Sequence, residues 1–581
     1  MSKWPFAADN FDWRSSDWWL DLVYWLFTDR AIRNTVCWWI ALAVMHHYWW
    51  NAWEVEGHVT CDFAGQWLMG RMFVDPESSA KDLYIVEEER KVFQRGYPKP
   101  SEHNAMIGDI LRKGYIPTLE PVAEPLMAIA PTGAMIPWSH LLPPVELIRQ
   151  VESGEFKLHD PLIEGALYPP TAGLLFAPLA LLPPKAAHMT ITLIYLMLLF
   201  VNALLIVSIT RGRIKSGEAA LVMVAFPNFF QAQLLGQNSM LTLTILVLGW
   251  WFVSRRWFFW GGLIWGLLAY KPVFAVSMII VPILLPSLRM LIGYTLGGGI
   301  FVLATLPWVG TVGLDRLIPF KDKTPVSYHN VRQTNPWERW LIVGKHAAQM
   351  YEYDRNWIWM SRDLTGLPRR AMWLPEDVEN QLHYINHRYL KGVDTYYGYE
   401  RGTTDQYVLD VLQKVHTDER SGLIGLGLIL GLVLFTVTAL LLRYGLSNTG
   451  LAYDALATSR RGALLLFTGG LACFHFMHYD LLIFTLPLLI MLSQWSRLSW
   501  ISRIFYLMVV GLMLLCNIDM MYPRGIIRFP FETMLMIVTW LWTLLLTVLE
   551  RSSDVNLDGN RLNSLPNPNI CVLDLTREPR E

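Results

Sequence analysis

Apolar runs of about 16–22 residues recur along most of this chain, separated by short loops. A helix of that length crosses the roughly 30 Å hydrocarbon layer of a bilayer. No other feature restricts the fold as much. Within lipid each backbone N–H and C=O needs a partner in its own segment, and runs this long leave the α-helix as the available form. Composition agrees: 53% of residues are hydrophobic and only 17% charged, too apolar for a soluble globule of 581 residues. Tryptophan gathers at run ends, at Trp49, Trp50, Trp53, Trp250, Trp251 and Trp257, in the manner of an aromatic belt.

Spans are expected near 35–53, 188–209, 219–235, 240–254, 258–270, 272–285, 291–309, 422–442, 462–476, 481–492, 504–520 and 531–549. Loops holding Arg211, Arg213 and Lys215, then Arg255 and Arg256, then Arg289, then Arg443, Arg460 and Arg461, then Arg497 and Arg503 alternate with arginine-poor loops. The positive-inside rule makes the basic loops cytoplasmic, together with both termini. For this count to close, 169–182 must dip into the membrane or lie along it, which suits a short apolar stretch flanked by prolines. The expected fold is therefore an all-α polytopic membrane protein. It has about twelve transmembrane helices, a re-entrant or interfacial helix, and two long outer loops at 54–168 and 310–421. Residues 1–34 form a cytoplasmic segment with an amphipathic helix at 18–27, residues 35–549 the transmembrane domain, and 550–581 a disordered cytoplasmic tail.

Several classes are disfavoured. Five dispersed cysteines make neither a disulfide framework nor a zinc site. A net charge of −1 gives no reason to expect a nucleic-acid partner. The first 33 residues lack the apolar core and small-residue site of a cleavable signal peptide.

The unusual polar residues share one face. Asp62 follows the first span, Tyr168-Pro169-Pro170 precedes the dipping segment, and Gln233, Gln237 and Asn238 sit at one outer turn. Lys271-Pro272 marks the next turn, His475, His478, Tyr479 and Asp480 another, and Arg524 and Arg528 the last. Each has an ordinary reading. Asp62 alone reads as a solvated loop carboxylate, Asn238 as a helix cap, Lys271 as a side chain snorkelling to headgroups, and the histidines as helix-end residues. Their coincidence on one face points instead to a site, because ionisable groups at membrane depth are costly and usually line a functional cavity.

The ordered series of these residues resembles glycosyltransferase family 87. It comprises Asp62-Phe63, Tyr168-Pro169-Pro170 with Pro178-Leu179-Ala180-Leu181-Leu182-Pro183, Gly236-Gln237-Asn238, and Gly262-Leu263 through Gly266-Leu267 to Lys271-Pro272. Phe474 to Tyr479 is similar to that family's histidine-bearing outer turn, while Gln333, Asn335 and Arg339 echo a family motif faintly. The stretch between Asp62 and Tyr168 and the loop 310–421 are longer than the family pattern, so the acceptor's identity does not carry over.

The resemblance implies a GT-C fold with its site at the outer surface and a polyprenyl-phosphate sugar, mannose first, as donor to a lipid or glycan acceptor. In that reading Asp62 is the general base of an inverting displacement. Lys271, with His478 or His475 second, meets the leaving phosphate. Gln237 and Asn238 bond sugar or phosphate, and Tyr168 shapes the dipping segment. No cofactor is called for, and the absence of any Asp-x-Asp is consistent with a reaction that does not hold a nucleotide diphosphate through a metal. Alternatives at this point are a transporter or lipid flippase, a polysaccharide polymerase or ligase, and an inactive scaffold. The GxxxG pairs Gly262/Gly266 and Gly293/Gly297 favour none of them, since close helix packing explains both.

Overall fold

The computed structural model describes residues 29–54, 61–96, 168–226, 229, 236–285, 287–310, 335–341, 361–367, 418–446, 456–473, 477–521 and 531–562. Helices dominate, and the described residues contain no strand, only an isolated antiparallel bridge between Ser361 and Met477. A helix stands in the place of each expected span, with different ends. Three of them, Pro184–Ile209, Leu288–Val309 and Phe531–Leu549, are long and apolar enough to cross a membrane, and seven shorter apolar helices accompany them. Leu193, Leu204, Ile300, Leu432 and Leu545 are all exposed on these helices, a surface suited to lipid rather than water.

The helix ends follow local chemistry. Pro170, Pro184 and Pro272 each open a helix at a position where a missing N–H costs nothing. Ser287 and Ser459 cap theirs through the amides of Met290 and Gly462. In the run expected over 219–235 the first helix ends at Ala225, because Phe226 precedes a proline and is pushed into extended backbone. The last helix runs on to Leu562, into the first part of the tail expected at 550–581, and residues 563–581 lie outside the described residues. Extending a helix already nucleated by an apolar span is far cheaper than starting one. The amphipathic segment 18–27 lies outside the described residues.

The dipping segment breaks into the Pro170–Phe176 helix and a 3-10 turn at Leu179–Leu181. It packs on the Cys61–Val74 helix, whose Gly70 leaves no room for a Cβ against the Phe176 backbone. Trp67 Nε1 donates to Leu182 O at 2.9 Å and Arg71 Nη1 to Ala180 O at 3.1 Å, taking up carbonyls that the proline-broken chain leaves open.

Gly262, Gly266, Gly293 and Gly297 bring the Phe258–Gly266 and Leu288–Leu303 helices into backbone contact, and a Cβ on any of the four would collide with the facing main chain. Gly297→Leu is expected to destabilise the protein by more than the roughly 1–3 kcal/mol of ordinary overpacking, because backbone cannot rotate away. A thermal unfolding scan in detergent reads this as a lower Tm; an unchanged Tm would show that the helices separate freely.

Asp75, at the end of the Cys61–Val74 helix, is 6% exposed. Its Oδ2 accepts from Arg95 Nη2 at 2.7 Å and Nε at 3.1 Å, with Arg71 3.6 Å away. Burial alone would raise its pKa, but the hydrogen bonds from Arg95 and the Glu77 amide, with the two guanidinium charges, outweigh this and hold it below the usual carboxylate range. A depressed folded pKa contributes stability that is complete above the unfolded value of about 3.9 and fades as pH falls through the folded one. Asp75→Asn is therefore expected to lose about 1–2 kcal/mol at pH 7. Its deficit against the parent should shrink as pH falls below the unfolded value and through the depressed folded one. Stability curves at pH 7 and in that acidic range check this.

Candidate active site

The site collects where the Ser239–Ser254 helix begins and the Phe258–Tyr270 run ends. Lys271 precedes a proline, so its backbone leaves the helix at φ −132°, ψ 79° and the side chain turns inwards. Lys271 Nζ donates to Asp480 Oδ1 at 2.5 Å, and both side chains are almost wholly buried. The rings of Phe274 and Tyr479 stand 5.1 and 5.2 Å from the ammonium. Asp480 Oδ2 accepts from the Met477 amide at 3.2 Å, which fixes the carboxylate at the start of the His478–Phe484 turn. Snorkelling is thus ruled out for this lysine. An ammonium has three N–H groups, and Asp480 accepts the one hydrogen bond that this ammonium makes among the described residues.

Beside this pair lies a turn at Gly236, whose φ of 64° is the left-handed conformation glycine adopts without strain. A Cβ there would strike Phe63, so the Cys61–Val74 helix packs against Gly236 through the residue that follows Asp62. Asp62 is thus helical rather than part of a loop. Gln237 and Asn238 are fully buried. Tyr168 OH donates to Gln237 Oε1 at 3.3 Å, and Tyr84 OH donates to Tyr168 O at 2.6 Å. Tyr270 OH reaches Asn238 O at 3.2 Å and Thr242 Oγ1 at 2.5 Å. Asn238 occupies the helix N-cap, yet its side chain makes no capping bond. Among the described residues Gln237 Nε2 and Asn238 Nδ2 have no acceptor, and neither does Gln66 Nε2, one helical turn beyond Asp62. Each orphaned buried donor costs about 1–3 kcal/mol, so these three amides call for acceptor oxygens that the described residues do not supply.

The family model of glycosyltransferase family 87 matches residues 166–361, a stretch containing Tyr168, Gln237, Asn238 and Lys271. Over this third of the chain the sequence is similar to glycosyltransferase family 87. Together with the apolar helices, this match points to a glycosyltransferase seated in a membrane. No curated protein and no solved structure matches it.

The structure brings Tyr168, Gln237, Asn238 and Lys271 together, and sets Phe63, the residue after Asp62, against Gly236. His478 is fully buried two residues from Asp480, its ring 5.1 Å from that of Tyr479. His475, Gln333, Arg524 and Arg528 lie outside the described residues. Asp480 was noticed in sequence only as one more polar residue, without a role. A buried lysine at a span end needs a counter-charge, and Asp480 is the acidic residue in the histidine-bearing turn.

Two buried arginines tie distant segments of the chain together. Arg339 donates to Leu83 O at 2.6 Å and Lys81 O at 2.5 Å, joining the second outer loop to the first. Arg362 pairs with Glu532 at 3.0 Å, both about 1% exposed, and Ser361 bridges to Met477. The segment Ser361 to Thr365 is entirely buried. Sequence reading missed it, although Glu532, an acid just inside a span, signals a cationic partner.

Proposed function

We propose that this protein transfers a single sugar, mannose first among candidates, from a polyprenyl-phosphate donor to a lipid or glycan acceptor on the non-cytoplasmic face of the plasma membrane, with inversion. The observation that carries this reading is the convergence of Lys271 with three orphaned amide donors at one end of the bundle. The acceptor hydroxyl attacks the anomeric carbon as its proton passes to Asp62. The bond from that carbon to the phosphate oxygen breaks, and the electron pair leaves on the polyprenyl phosphate. Lys271 meets the charge that develops there, held in place by Asp480. Gln237, Asn238 and Gln66 donate to sugar hydroxyls or phosphate oxygens. Both termini then lie in the cytoplasm, and a flipped lipid-linked donor supplies the sugar that a nucleotide cannot deliver outside.

The test is transfer from synthetic polyprenyl-phosphate mannose by the purified protein, with an acceptor lipid panel and product anomer determined by NMR. An inverted mannosyl product supports the reading. Retention of configuration, or translocation of the donor in vesicles without transfer to any acceptor, would overturn it.

A further inference from the structure

At the far end of the Pro184–Ile209 and Ser239–Ser254 helices, the latter about 24 Å long, an open depression of about 430 Å³ is lined by Ser208, Arg211, Ser254, Arg255, Arg256 and Thr458. Three cationic side chains and three hydroxyls face one volume, and no acidic residue lines it. Ser208 Oγ accepts from Arg255 Nη2 at 2.6 Å and from Trp251 Nε1 at 2.9 Å, which leaves its own O–H to be donated. The Arg255 guanidinium also lies 5.2 Å from the Trp251 ring, held flat at the rim.

Basic loops are ordinary at one face of a membrane protein, and charge alone would mean little. The backbone says more. Both helices end in the same double-bonded turn: Gly212 N to Val207 O with Arg211 N to Ser208 O, and Trp257 N to Phe252 O with Arg256 N to Val253 O. In such a turn the left-handed position normally belongs to glycine. Here arginine holds it twice, with φ of 54° at Arg211 and 65° at Arg256. Only one other non-glycine described residue, Tyr84, has positive φ, and it is tied into the outer site. Strain retained twice around one concavity marks a functional constraint.

We propose that this depression binds an anionic phosphate group, with the three arginines and the Ser208 hydroxyl as its donors. The source is either a lipid headgroup or free phosphate, and the experiment separates them. Purified full-length protein in neutral detergent is titrated with dihexanoyl phosphatidylglycerol, dihexanoyl phosphatidylcholine and inorganic phosphate, reading binding by thermal shift. The parent is expected to bind the glycerol lipid saturably and the zwitterionic lipid at least about tenfold more weakly. Inorganic phosphate binding as tightly as the lipid would name the free ion as the source. Arg211→Gly with Arg256→Gly should weaken binding at least about tenfold while leaving Tm equal or higher, since glycine relieves both turns. A merely structural arginine pair would show the opposite pattern. Arg255→Ala provides a second variant. Binding that survives in both variants, binding that does not discriminate between the two lipids, or no binding of lipid or phosphate by the parent overturns the proposal.

Discussion

Asp62→Asn is expected to lower sugar transfer by about 10²–10⁴-fold, the range that a positioned general base supplies. The substitution is well suited to the question. Asp62 lies in the first turn of the Cys61–Val74 helix, where the amide favours folding nearly as well as the carboxylate. Donor affinity should stay within about twofold, placing the loss in kcat rather than KM. Initial rates across donor concentration, alongside a Tm, check both halves. Transfer within tenfold of the parent would discard Asp62 as the base while leaving the transferase intact.

Lys271→Met is the second large effect, and it separates catalysis from stability. Removing one partner of a buried ion pair strands the other, so the single variant should lose about 3–5 kcal/mol of stability through the uncompensated Asp480. It should also lose about 10²–10³-fold in kcat, as expected when a charge aimed at a developing oxyanion is deleted. The double variant Lys271→Met with Asp480→Leu decides between the roles. An apolar pair of similar volume often restores the stability of a buried ion pair, so its Tm should recover towards the parent while transfer stays low. Recovery of both would make the pair purely structural. Asp480→Asn alone should leave the lysine charged but loosely placed, giving a smaller loss in kcat than Lys271→Met.

Much of the fold was legible in the sequence because lipid imposes a simple rule. Each expected span has its helix, and the Gly262/Gly266 and Gly293/Gly297 spacing found its explanation in backbone contact. Boundaries were less legible, since they depend on a single residue such as Phe226 before a proline, or on a helix carrying on to Leu562. Among site residues, Gln237 and Asn238 stood out as amides at an outer turn. Whether Asn238 merely capped a helix was a question of where one amide group points, and sequence does not contain that.

The sequence by itself determined that the chain is helical and membrane-bound, and gathered its costly polar groups at one rim, because hydrophobic length and charge placement are local properties. Only the tertiary structure decided that Lys271 meets Asp480, 209 residues away. It alone set Phe63 on Gly236, and drew Ser361 to Thr365 from a long outer loop into the interior beside Glu532. Those pairings arise from packing between distant segments, where a buried charge must find its counter-charge and a missing Cβ must admit a ring.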